Sequence, residues 1–168
     1  MLIDSHCHLD APEFDADRGA VLARARAAGV YAQIVPAVAA SGFAALAQLA
    51  RDEAGIHPGY GLHPMYLAEH RPEHLEEVRW YLREGGAVAV GECGLDYFVP
   101  GLEPAVQREY FVAQVRLARE FDLPLVLHAR RAVDEVIATL RHVGGVRGVV
   151  HSWSGSEEQA RQLWKIGF

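Results

Sequence analysis

The residues in this chain best suited to chemistry are histidines, and they fall at recurring places. The opening stretch MLIDSHCHLD sets His6 and His8 two residues apart, with Cys7 between them. In a strand, residues i and i+2 project from one face, so both imidazoles would point one way and Cys7 the other. Two imidazoles on one side are ready nitrogen ligands for a divalent metal, although alone they fit a solvated strand end equally well, because a metal site needs at least three convergent ligands. Further candidates close other apolar runs. Glu92 ends GAVAVGE, His128 ends LPLVLH, His151 ends VRGVVH, and His63 follows GYGL.

These positions imply elements that bring them together. Short apolar runs (QIVPAV, GIHPGYGLH, GAVAVGE, LPLVLH, VRGVVH) alternate with stretches of helical period such as DRGAVLARARAAG and FAALAQLARDEAG. Nearly continuous apolar strands point to a parallel sheet covered by helices. Gly29, Gly55, Gly85 and Gly144 stand where helices stop, Pro72 stands where a first-turn proline is tolerated, and Ser156 with Gln159 has capping-box spacing before the last helical run. Counting LIDSH as the first strand gives about six βα units. A (β/α)8 barrel takes about 250 residues, so six units need roughly 190, close to the 168 present. An open, doubly wound sheet is the alternative, since alternation alone does not separate open from closed sheets.

In a parallel barrel the carboxyl ends of all strands meet at one face, where barrel active sites form. Histidines and a carboxylate converging there make a nitrogen and oxygen site suited to zinc, manganese or similar ions. A bridging Glu92 could hold two ions in the arrangement that clamps the attacking and leaving oxygens of phosphoryl transfer. Gly91 and Gly94 flank Glu92 and permit tight backbone turns beside it. No phosphate-binding glycine loop and no G-x-S-x-G nucleophile elbow occurs. His57, His70, His74 and His142 fall outside the strand-end set and are expected to be solvated, while Trp153 is close enough to His151 to line a pocket.

The bulk composition narrows the partners. At 51% hydrophobic residues the chain has enough apolar content for one core, and its formal charge of -6 leaves no basic footprint for non-specific nucleic-acid binding. Any phosphate must therefore be held locally, by a metal or a few arginines. Cys7 and Cys93 form no C-x-x-C pair and are expected as reduced, buried thiols. No segment reaches the roughly 18 apolar residues of a membrane span, and the first residues carry no signal-like basic region, so a cytoplasmic location without membrane contact is expected.

Five ordered stretches, IDSHCHLD, GLHP, GECGLDY, LPLVLHAR and HSWSGS, resemble the TatD-type metal-dependent deoxyribonucleases of the amidohydrolase superfamily. The resemblance runs the length of the chain. It implies a TIM (β/α)8 barrel and two divalent metal ions (Zn, Mn or Mg), with His6 and His8 on one, His128 and His151 on the other, and Glu92 as bridging and catalytic ligand. It implies hydrolysis of DNA phosphodiester bonds, single-stranded or at a 3′ end, by a metal-activated water. His63 would contact substrate near the pocket and take part in catalysis; a structural role before Pro64 is the other reading. Arg130 would grip a phosphate through its guanidinium fork, unless it forms a salt bridge at a helix start.

Members of this family continue for roughly two more βα units and carry an aspartate at the end of the last strand, whereas this chain stops at WKIGF. Residues 1–168 are thus expected to form a single, incomplete barrel domain whose first and sixth strands have open edges, which invite self-association. Two further readings share the site. One is an amide or ester hydrolase, such as an enzyme deacylating an aminoacyl-tRNA end, and the other is a metal-binding remnant without turnover.

Overall fold

The computed structural model describes residues 2–168; Met1, expected to open the first strand, lies outside the described residues. Six parallel strands form one sheet: β1 (Leu2–Asp4), β2 (Val30–Pro36), β3 (Ile56–Tyr60), β4 (Ala89–Asp96), β5 (Leu125–Arg130) and β6 (Gly148–Val150). They alternate with six helices: α1 (Arg18–Ala27), α2 (Phe43–Asp52), α3 (His74–Glu84), α4 (Pro104–Glu120), α5 (Val133–Val143) and α6 (Glu157–Trp164). The strand order is β1-β2-β3-β4-β5-β6, so each strand pairs with its sequence neighbour. A doubly wound sheet reverses its strand order at a switch point, whereas unidirectional winding is how a barrel is built. The sheet is a curled partial TIM barrel, which decides between the two architectures the sequence left open.

Packing follows the apolar stripes. On α2, Phe43, Leu46 and Ala47 are buried, and on α5, Val133, Val136, Ile137 and Leu140 are buried, both at helical spacing. The rings of Phe43, Tyr60 and Tyr81 meet with centroids 4.9 to 5.4 Å apart and join α2, β3 and α3. The Tyr60 hydroxyl donates to the Gly85 carbonyl at 3.0 Å, so its polar end is satisfied inside this cluster. Ser156 and Gln159 form the expected capping box at the start of α6.

Two local readings change. The strand β1 stops at Asp4, so His6 and His8 follow it in extended chain instead of ending it; Cys7 N–H still donates to the Ile34 carbonyl at 3.2 Å and continues the register with β2. Strand β4 does not end at Glu92 but runs four residues further, to Asp96, and every residue of it is buried. Its pairing with β5 shifts register between Val90 and Cys93, across Gly91 and Glu92, and resumes with Cys93 opposite Leu127.

Among the described residues, β1 pairs only with β2 and β6 only with β5. Leu2 and Ile3 are 59% and 64% exposed at the first edge. No helix is long and apolar enough to cross a membrane.

Candidate metal centre

Glu92 is the centre of the site. Its side chain is 1% exposed, and its only ionic partners among the described residues are histidines. The carboxylate divides them between its two oxygens. Oε2 lies 2.7 Å from His6 Nε2 and 3.1 Å from His8 Nε2. Oε1 lies 2.6 Å from His151 Nε2, 2.9 Å from His63 Nε2 and 3.4 Å from His128 Nδ1. The His6 and His151 rings stack at 4.0 Å, which brings the first and sixth strand ends against each other. All five histidines singled out in the sequence thus converge on the one carboxylate predicted to bridge. Donor atoms of His6, His8 and Glu92 lie within 4.8 Å of one another, as do those of His63, Glu92 and His128.

The donor chemistry fits divalent cations. Burial opposes the charge on Glu92, but hydrogen bonds from His128, His151, His6 and His63 outweigh it and hold the carboxyl far below its usual range. Such a carboxylate, ringed by imidazole nitrogens and with no lysine or arginine partner among the described residues, is a nitrogen and oxygen ligand set of the kind that zinc and manganese accept.

Asp96 is the functional residue that sequence reasoning missed. It is fully buried, and its Oδ2 takes His128 Nε2 at 2.8 Å while Oδ1 accepts the amides of Phe98 and Val99. A carboxylate behind a ligand imidazole fixes its tautomer and ring plane, leaving His128 Nδ1 to face the centre. Burial opposes the Asp96 charge, but the Val99 amide, His128 and the Phe98 amide outweigh it and lower the carboxyl's pKa.

His63 behaves differently from its neighbours. The Met65 amide donates to His63 Nδ1 at 3.1 Å, so in the neutral ring Nε2 carries the proton, and that N–H points at Glu92. Burial pushes the His63 pKa down and favours the neutral ring. His70, expected in solvent, instead places Nε2 2.9 Å from the His63 carbonyl, and His74, also expected in solvent, is buried at 6% exposure with its Nδ1 accepting from the Arg71 amide at 3.3 Å. His57 and His142 are exposed as expected. Cys7 and Cys93 are free thiols, and burial raises the Cys7 pKa to about 11. Arg130 is exposed at the end of β5, and its guanidinium lies 3.7 Å from the Phe98 ring centroid rather than in a salt bridge.

Two buried glutamines on α4 hold the strand ends from behind. Gln114 accepts from Leu62 N–H at 2.7 Å and donates to the Leu62 carbonyl at 3.2 Å, one residue before His63. Gln107 makes the same pair of bonds to Asp96, both at 2.8 Å. Spaced seven apart, they share the buried stripe of α4 with Phe111, Val115 and Ala118. That is the sequence signal that could have found them: a polar side chain on an apolar face must have a buried partner. Gln107→Leu should leave both main-chain groups of Asp96 unpaired. At about 1 to 3 kcal/mol per orphaned group, stability should fall by about 2 to 6 kcal/mol in urea unfolding. An unchanged midpoint would show that these bonds contribute nothing.

The imidazoles also set a pH dependence. The Glu92 hydrogen bond raises the His8 pKa against the opposing effect of burial. Burial lowers the His128 pKa, but its bonds to Glu92 and Asp96 prevail and raise it. Burial lowers His63 and His70. Groups with raised folded pKa values lose their stabilisation as pH climbs above the unfolded value. Histidines with lowered values cost stability as pH drops beneath it. The metal-free chain should therefore be most stable near pH ~6.5, the unperturbed histidine pKa. Thermal unfolding with chelator present measures this, and a steady rise in stability through pH 8 would contradict it. Added metal should reverse the upper slope, because ligand imidazoles must be deprotonated.

The profile of the family described as TatD related DNase matches residues 3–168. This chain belongs to the TatD family. It is 42% identical over 171 residues to the uncharacterized metal-dependent hydrolase YjjV of Escherichia coli (strain K12), covering 99% of this chain and 65% of YjjV. It is 33% identical to the 3'-5' ssDNA/RNA exonuclease TatD of Cronobacter sakazakii, covering 99% of this chain and 64% of that relative. The crystal structure of E. coli YjjV superposes with a TM-score of 0.91 at 38% identity, covering 98% of this chain and 65% of that one. This TatD-family chain thus spans about 65% of the length of these relatives.

Proposed function

We propose that this chain carries the metal centre of a hydrolase that cleaves phosphodiester bonds of single-stranded nucleic acid at a 3′ end. The observation that carries the reading is the buried Glu92 carboxylate with five imidazoles on its two oxygens. Membership of the TatD family and the exonuclease name of the Cronobacter relative support the substrate class.

His6 and His8 with Glu92 would hold one divalent ion, and His128 and His151 with Glu92 a second. So many imidazole donors suit zinc or manganese better than magnesium, which prefers oxygen. When bound, such ions polarise a phosphoryl oxygen and lower the pKa of water. In the reaction a water oxygen bonds to phosphorus and the phosphorus–oxygen bond to the departing sugar breaks, giving a phosphate monoester and a hydroxyl. Glu92 shares its charge between both positions, and Asp96 keeps His128 Nδ1 turned inward. His63, neutral with its proton on Nε2, would supply that N–H as a donor to a substrate oxygen. Arg130 offers its fork to the phosphate. The open edges of β1 and β6, with the exposed Leu2 and Ile3, support self-association, which light scattering can check.

The decisive assay supplies zinc or manganese and follows a 5′-labelled single-stranded oligonucleotide beside an aminoacyl ester. Stepwise shortening from the 3′ end, stopped by chelator, is expected. Hydrolysis of the ester alone would overturn the nuclease reading in favour of acyl chemistry, and metal binding without any turnover would reduce the chain to a binding module. Arg130→Ala should raise KM for the oligonucleotide about tenfold while metal affinity holds. An unchanged KM would assign Arg130 to structure.

A further inference from the structure

Next to the histidine cluster lies a cavity of about 700 Å³ whose rim carries Phe98, Arg130 and Arg131. It adjoins the metal centre through two chain segments. Arg130 follows His128 by two residues on β5, about 6.6 Å along the strand. Phe98 follows Asp96 by two, with its amide on the Asp96 carboxylate at 2.9 Å.

The charges around this cavity are unevenly satisfied. Its carboxylates are engaged: Asp134 accepts from Gln159 at 2.6 Å, and Glu135 accepts from Tyr97 at 2.8 Å and Arg108 at 3.2 Å. Both arginines are exposed, and neither guanidinium makes an ion pair or hydrogen bond among the described residues. They stack instead on one ring, with Arg130 3.7 Å and Arg131 4.6 Å from the Phe98 centroid. Stacking on an aromatic face orders two long side chains without consuming an N–H donor or neutralising a charge. Two like charges held together with their forks free are arranged for an anion with several acceptor oxygens. Arg131 also sits at φ +54, a left-handed backbone rarely adopted by a side chain of this size, at the turn that aims it here.

We propose that this cavity is a second substrate subsite, which holds the phosphodiester of the nucleotide next to the one being cleaved, with Arg131 gripping that phosphate and Phe98 ordering both guanidiniums. The inference rests on the nuclease reading above and adds to it a reason for preferring a strand over a lone nucleotide. It also accounts for phosphate recognition by an acidic chain: the required positive charge is concentrated at one rim rather than spread over a surface.

The test pairs binding with turnover. Anisotropy follows fluorescein-labelled tetrathymidylate, and kinetics compare this oligomer with thymidine 5′-monophosphate p-nitrophenyl ester, a diester lacking a neighbouring nucleotide. In Arg131→Gln, Kd for the oligomer should rise about tenfold, and the slope of log Kd against log salt should shrink by about 0.7. The ratio of kcat/KM for oligomer over reporter should fall about tenfold. Arg131→Lys should restore the salt slope but only part of the affinity, since the fork is lost. Phe98→Leu should weaken oligomer binding with an unaltered thermal midpoint. Equal losses on oligomer and reporter, or an unchanged Kd in Arg131→Gln, would overturn the proposal. Should the protein hydrolyse neither diester, the nuclease reading fails, and the anisotropy arm still decides the subsite by the same two results.

Discussion

Replacing Glu92 by glutamine should empty both proposed metal positions at once. The two oxygens of this carboxylate each face their own set of imidazoles, so the residue is the one group common to both. Glutamine keeps the size but offers one acceptor oxygen and no charge, and its amide N–H₂ would present protons where a cation should sit. Metal affinity should fall by at least about a hundredfold, more than for loss of an outer orienting group. Phosphodiester turnover should fall on the order of a thousandfold. His8→Ala and His151→Ala should each lower the metal content by about one equivalent only. Elemental analysis after dialysis against limiting zinc separates these outcomes, and a variant of Glu92→Gln that retained two equivalents would remove the bridging role.

Gly94→Ala should damage the fold and the site together. Gly94 pairs with His128 across β4 and β5 at φ +140, and a Cβ there would collide with the His128 carbonyl oxygen. The backbone conformation costs an L-residue about 1 to 3 kcal/mol, and forcing the strands apart costs a similar amount again. Stability should drop by about 3 kcal/mol or more in urea unfolding, and the displaced His128 should weaken metal binding even in the molecules that remain folded. A variant with wild-type stability and metal content would show that the two strands can separate freely at this point.

The same glycine explains why part of the site was hidden in the sequence. GAVAVGE reads as a strand ending at Glu92, with Gly91 and Gly94 permitting tight backbone turns beside it. Here the close approach to β5 demands Gly94, and the strand resumes as far as Asp96. The histidines were legible because each follows an apolar run and a parallel sheet gathers such ends on one face. His63 was legible as a site residue but its tautomer was not, because the Met65 amide that sets it depends on the turn geometry after β3. His70, half-buried, and His74, buried, show the limit of treating histidines away from strand ends as solvated: the segment between β3 and α3 that engages them has no local signature. Partial barrel and doubly wound sheet share the same alternation of elements. Only the long-range pairing of each strand with its sequence neighbour separates them.

In the proposed centre Glu92 bridges two divalent ions, with His6 and His8 on one side and His128 and His151 on the other. Anomalous difference maps from crystals grown with manganese or zinc test it most directly. Two peaks flanking the Glu92 carboxylate, one beside each histidine pair, are predicted; a single peak that does not touch Glu92, or no peak within this cluster, would contradict the account.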